Sequence, residues 1–147
     1  MTLEISPAVE ALQGALSPRK AQALRRYVAR GNDYLAAGIW QDAQREFAAA
    51  VLLAPDSAEA HLGSAEAYRS LGRPEDAVRE LRAALWSHED AATRVRLGKL
   101  LMEMSRTAEA RAELRTALRL DASPKLREEV RQLLGELDAK GGAGDRP

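Results

Sequence analysis

The sequence predicts an all-α chain folded as a stack of antiparallel helix pairs. Three observations carry this. A pattern of small and large residues recurs about every 34 residues, a period that a generic helical bundle has no need of. Helix-start and helix-stop residues bracket amphipathic stretches of three to four turns. Of the 147 residues, 46% are apolar but only 4% are aromatic, so the core must close through Ala, Leu and Val at short helix separations.

The recurrence is clearest from Leu24 to Pro55, which reads as two helices joined at Gly38 and closed by a proline. Tyr34, Tyr68 and Leu101 occupy one place in successive units, and Phe47, Leu81 and Leu114 another. These large side chains fill the space between helices. Gly31, Ala65 and Gly98 recur on the first helix of each unit, and Ala43, Ala77 and Ala110 on the second. Small residues there let the partner helix approach. Gly38 and Gly72 stand where a left-handed residue ends a helix at little cost. Ser105 takes that place in the third unit, a departure expected to tighten or strain the turn. The third unit starts one residue early, and a loop near Glu89 and Asp90 absorbs the difference.

The elements follow in order. Ser6-Pro7 and Ser17-Pro18 each pair an N-cap with a first-turn proline. The first starts a short helix to about Leu16, and the second a long helix to about Ala37. Unit one continues with a helix from about Gln41 to Leu53. Unit two spans about Ala58–Leu71 and Pro74–Ser87. Asp90 or Glu89 caps a helix ending near Met104, and its mate covers about Thr107–Leu120. Ser123-Pro124 opens a last helix to about Ala139, with Leu126, Val130, Leu133, Leu134 and Leu137 on one stripe. Such a helix can cover the apolar face left at the end of an open stack. The organisation is therefore an N-terminal extension (1–23), three units (24–57, 58–90 and 91–123), a capping helix (124–139) and a disordered tail (140–147).

The pattern from Leu24 to Ala122 resembles the tetratricopeptide repeat family. The resemblance implies a right-handed superhelical stack that binds a protein segment without catalysis. Arg30 stands where the family usually has Leu, and Glu89 where it usually has Pro. The first departure puts an arginine near the groove edge. The second implies a different angle between units two and three. One subclass of the family clamps the C-terminal carboxylate of heat-shock chaperones. Only Asn32 and Lys99 match its clamp, while Val28, Gly63 and Val95 stand at other clamp places, so that specificity is not expected. The layout and the ending SPKLREEVRQLLGEL are similar to bacterial secretion chaperones for translocator subunits.

In such a stack the first helix of each hairpin lines the concave surface. That places Arg25, Val28, Asn32 and Leu35 there from unit one. Unit two adds Glu59, Leu62, Glu66 and Arg69, and unit three Ala92, Val95, Lys99 and Met102. Val28, Leu35, Leu62, Val95 and Met102 make an apolar floor with charges of both signs around it. This surface suits an extended peptide or a partner helix.

Other chemistries find little support. The formal net charge is zero, so nothing draws the whole chain to nucleic acid. Arg19, Lys20, Arg25, Arg26 and Arg30 form a basic run, which reads as a solvated helix face because no surface aromatics interleave it. There is no cysteine, hence no disulfide or thiolate chemistry. No phosphate-cradling or metalloprotease motif occurs, and no cofactor is expected. His61 is expected to pack, and His88, Glu89 and Asp90 to cap a helix rather than hold a metal. Trp40 is expected to plug the first hairpin and Trp86 to fill the gap beside the irregular junction, with exposure as a partner anchor the lesser reading. No apolar run approaches the ~20 residues of a membrane span, and the N-terminus lacks the marks of a secretory signal. A soluble, cytoplasmic, bacterial adaptor is expected, with self-assembly as a further possibility.

Overall fold

The computed structural model describes residues 16–121 and 123–141. Seven helices lie among them: α1 (Pro18–Ala36), α2 (Trp40–Leu53), α3 (Ala58–Ser70), α4 (Pro74–Ser87), α5 (Ala91–Glu103), α6 (Thr107–Leu120) and α7 (Pro124–Gly141). The helix expected from Pro7 lies outside the described residues but for Leu16. The last helix runs through Lys140 and Gly141, two residues into the expected tail. The rest of that tail lies outside the described residues.

The helix boundaries have local causes. First helices carry side-chain caps: the Ser17 hydroxyl accepts from Lys20 N at 3.3 Å, Ser57 from Ala60 N at 3.2 Å, and Asp90 from Thr93 N at 2.8 Å. Second helices α2, α4 and α6 have none. A tight turn delivers the chain into each instead. Ile39 N–H donates to Tyr34 O at 2.9 Å, Arg73 to Tyr68 O at 2.9 Å, and Arg106 to Leu101 O at 2.8 Å. This six-to-one bond needs a left-handed residue just past the helix. Gly38 and Gly72 supply φ +74° and +70°, whereas Ser105 adopts φ 60° with a Cβ in place. The strain anticipated at Ser105 is thus present in the backbone.

Three hairpins (α1–α2, α3–α4, α5–α6) stack in chain order, and α7 covers the open end. Among first helices, α1 approaches α3, and α5 approaches α7. The second helices touch only first helices and α7, so they form the outer layer and the first helices the inner one. Phe47 on α2 is fully buried and joins hairpins one and two. A Cβ on Gly31 would stand 2.7 Å from its ring, and a Cβ on Gly63 would overlap it outright. The next junction differs. Leu81 stands where Phe47 does, and Arg96 where Gly63 does. The α4–α5 interface is thinner than α2–α3, and α3 does not approach α5. This gap falls at the junction beside Glu89, where the sequence departs from the family pattern. Two core clusters result. One gathers Val28, Ala43, Phe47, Ala50, Ala60 and Ala67. The other runs from Ala65 through Leu81, Leu97 and Leu114 to Val130 and Leu137 of α7.

Two substitutions test these contacts. Ser105→Gly removes a Cβ from a left-handed position and should raise stability by about 1 kcal/mol, read as a higher urea midpoint at unchanged slope. Gly63→Ala should lower it by about 1–3 kcal/mol through overpacking. Adding Phe47→Leu should restore much of that loss, and a purely additive double variant would contradict the clash.

Candidate concave binding site

A gap between α3 and α5 opens on the inner surface. It encloses about 310 Å³. Leu62, Ala65, Leu81 and Leu100 make its apolar floor. Glu66, Arg69, Arg96, Lys99 and Glu103 rim it. The cause lies in the packing just described: Leu81 is shorter than the phenylalanine of the previous junction, and α3 and α5 stand apart. A second depression of about 220 Å³ continues along α7, between Lys99, Met102 and Glu103 on one side and Leu133, Glu136 and Lys140 on the other.

Ion pairs cross this surface. Arg69 spans from α3 to Glu103 on α5 with two hydrogen bonds, 3.1 and 2.7 Å, and also lies 3.5 Å from Glu66. The bonds to Glu103 hold the Arg69 guanidinium above its ordinary pKa. Lys99 reaches Glu129 on α7 at 2.6 Å. These pairs are about half exposed, so each contributes little to stability. They fix the orientation of long side chains at the rim. Arg96 alone among the rim cations has no ion-pair partner among the described residues.

The residues anticipated from the repeat register divide into three groups. Leu62, Glu66, Arg69 and Lys99 come together around the α3–α5 depression, and Met102 borders the one beside it. Val28 and Val95 are 5% and 4% exposed. They belong to the core, Val28 to the cluster of the first hairpin and Val95 to that beneath the floor, and offer almost no surface to a ligand. Arg25 and Asn32 on α1 and Glu59 on α3 are exposed, Leu35 on α1 is half-buried, and Ala92 opens beside α7. Sequence reasoning missed Arg96, Glu103, Glu129 and Leu133. Glu103 stands one place past Met102, the register counterpart of Arg69, so the repeat gave no signal for the pair.

Other expectations resolve as follows. His61 is buried, with Nδ1 2.7 Å from Glu80 Oε2 and Nε2 2.9 Å from the Pro55 carbonyl, so it packs. Asp90 caps α5, and hydrogen bonds from Thr93 hold its carboxyl below the usual range. Glu89 forms two hydrogen bonds with Arg94, which lower its pKa, and Arg94 also reaches Glu113 at 2.6 Å. No group of three potential metal ligands occurs among the described residues. Arg30 pairs with Glu46 on α2 at 3.2 Å rather than turning to the groove. Trp40 is half-buried over Gly38. Trp86 corrects its expectation: it is 93% exposed, and the adjacent Leu85 enters the core instead. No described helix is long and apolar enough to cross a membrane.

These features define a helical-hairpin repeat protein with a concave, mixed-charge groove. Models of the tetratricopeptide repeat match residues 28–93 and 91–124, and the chain belongs to that family. No curated protein matches the sequence. Among solved structures, the chain is similar to the Yersinia enterocolitica type III secretion chaperone SycD in complex with a peptide of the translocator YopD. Identity is 19%, with 82% of this chain and 95% of that one covered and a TM-score of 0.74. Pseudomonas aeruginosa pilF is 28% identical over 84% of this chain and 55% of its own, with a TM-score of 0.72. The first repeat domain of Spaghetti (RPAP3), bound to the HSP90 peptide SRMEEVD, is 18% identical over 80% and 94%, with a TM-score of 0.69.

If the Arg69–Glu103 pair orients the rim rather than holding the fold, Arg69→Ala should change unfolding free energy by less than about 1 kcal/mol. Urea titration followed by circular dichroism reads this directly.

Proposed function

We propose that this chain is a non-catalytic adaptor that holds a protein segment in its concave groove. The observation that carries this is the α3–α5 depression, where an apolar floor of Leu62, Ala65, Leu81 and Leu100 lies beneath an oriented charged rim. Its size suits one aliphatic side chain of a partner, buried as an anchor. Arg25, Asn32, Leu35 and Glu59 extend the track toward α1, and Met102 toward α7. Val95 supports this floor from the core, and Val28 supports the α1 end of the track. The groove is preformed, so little ordering of the scaffold opposes binding. Two similar structures of this fold hold peptides, one of a translocator and one of HSP90, which supports the peptide-binding reading.

A dedicated secretion-type chaperone is the second reading. The observation favouring it is that the similarity to SycD covers 95% of that chaperone. Both readings place the client in the same groove. They differ in stoichiometry and permanence: a chaperone would co-purify one-to-one with an amphipathic client that is insoluble alone.

Leu62→Glu puts a charge on the anchor floor. It should lower client recovery in a lysate pull-down by at least about tenfold, the scale of losing one buried anchor. Helical content should stay unchanged by circular dichroism. Equal client recovery from both forms would remove the groove assignment.

A further inference from the structure

The outer face carries a second surface that the groove does not use. Trp86 and Leu52 are 93% and 85% exposed, the two most exposed large apolar side chains among the described residues. They are not scattered. Both occupy the same place near the end of a second helix, one on α2 and the other on α4, and Arg119 holds that place on α6. One turn earlier, the matching places hold Ala48, Arg82 and Arg115. Successive second helices therefore present a band that is apolar on α2, mixed on α4 and cationic on α6. A depression of about 250 Å³ opens beside Trp86, between α4 and the third hairpin.

Most charges of this face are paired. Asp42 is engaged by Arg45, Asp76 by Arg73 and Arg79, and Glu109 by Arg82 and Arg106. Arg94 is shared between Glu89 and Glu113. Arg115 has no ion-pair partner among the described residues, and Arg119 donates only to the Thr116 hydroxyl at 2.8 Å. Two arginines at the α6 end are thus left without a carboxylate partner among the described residues. A second copy suits this band poorly. Two copies paired about a two-fold axis would set Arg119 against either Arg119 or Leu52 of the other, and neither neutralises it.

We propose that the band Leu52–Trp86–Arg119 on the outer face docks an acidic amphipathic protein helix. Apolar side chains of that helix cover Leu52 and Trp86, and carboxylates toward one end meet Arg115 and Arg119. Tryptophan and arginine are the residue types that most often dominate such contacts. Because the outer face is opposite the groove, both can be occupied at once.

The test uses the full chain carrying Trp40→Phe, which leaves Trp86 as its one tryptophan. Three probes are titrated while Trp86 emission is followed: a helical Leu/Ala/Glu amphipathic peptide, the same peptide with Lys for Glu, and a single-stranded oligouridylate. The acidic peptide should shift Trp86 emission to shorter wavelength. Its affinity should fall at least tenfold on Arg119→Glu, and likewise on Leu52→Ala. Both residues are exposed, so neither change should unfold the chain. Failure of the acidic peptide to bind overturns the proposal, as does equal binding of the lysine peptide. Preference for the oligouridylate would assign the face to nucleic acid instead. Concentration-dependent dimerisation abolished by Trp86→Ala, seen in sedimentation without any probe, would assign it to a second copy.

Discussion

The stack depends on one aromatic ring. Phe47 lies between Gly31 of its own hairpin and Gly63 of the next, and neither glycine could carry a Cβ without displacing it. The contact sets two distances together, that between α1 and α2 and that between α2 and α3. Burial of a side chain this size stabilises by roughly 1.5–3 kcal/mol, but its geometric effect is larger than its energy. It forces the first two hairpins into close register while α3 presents Leu62 to the groove.

The second junction lacks this ring, and the consequences are functional. With Leu81 in the same place and α3 apart from α5, the inner layer opens. Arg69 then bridges the opening to Glu103. Polar pairs at half-exposed positions are poor glue but good positioning devices, because a fork held by two hydrogen bonds has few alternatives. The depression and its oriented rim have a common origin in one shorter side chain and one irregular loop.

Much of the fold was legible in the sequence because its determinants are local. Ser17, Ser57 and Asp90 announce helix starts by their own side chains, and Gly38 and Gly72 announce stops by their backbone freedom. The repeat period supplies the stacking order. The site was less legible, because it depends on angles between hairpins. Register alone sends Val28 and Val95 to the inner surface, yet they sit on the border between groove and core and turn inward. Trp86 and Leu85 are neighbours in sequence, and the small rotation that decides which is buried is set by the thin α4–α5 contact. The Arg69–Glu103 bridge requires knowing that two first helices stand a side chain apart.

Helix α3 borders both core clusters, and it does so with very small side chains. Ala60 and Ala67 face the cluster of the first hairpin, and Ala65 faces that of the third. A helix so thinly clad works as a shim. Enlarging any of these alanines would not carve a local defect but tilt one flanking hairpin against the other. Over the length of the array such a tilt is amplified as by a lever, so the pitch of the whole superhelix can be retuned by single methyl groups far from the surface that meets a partner.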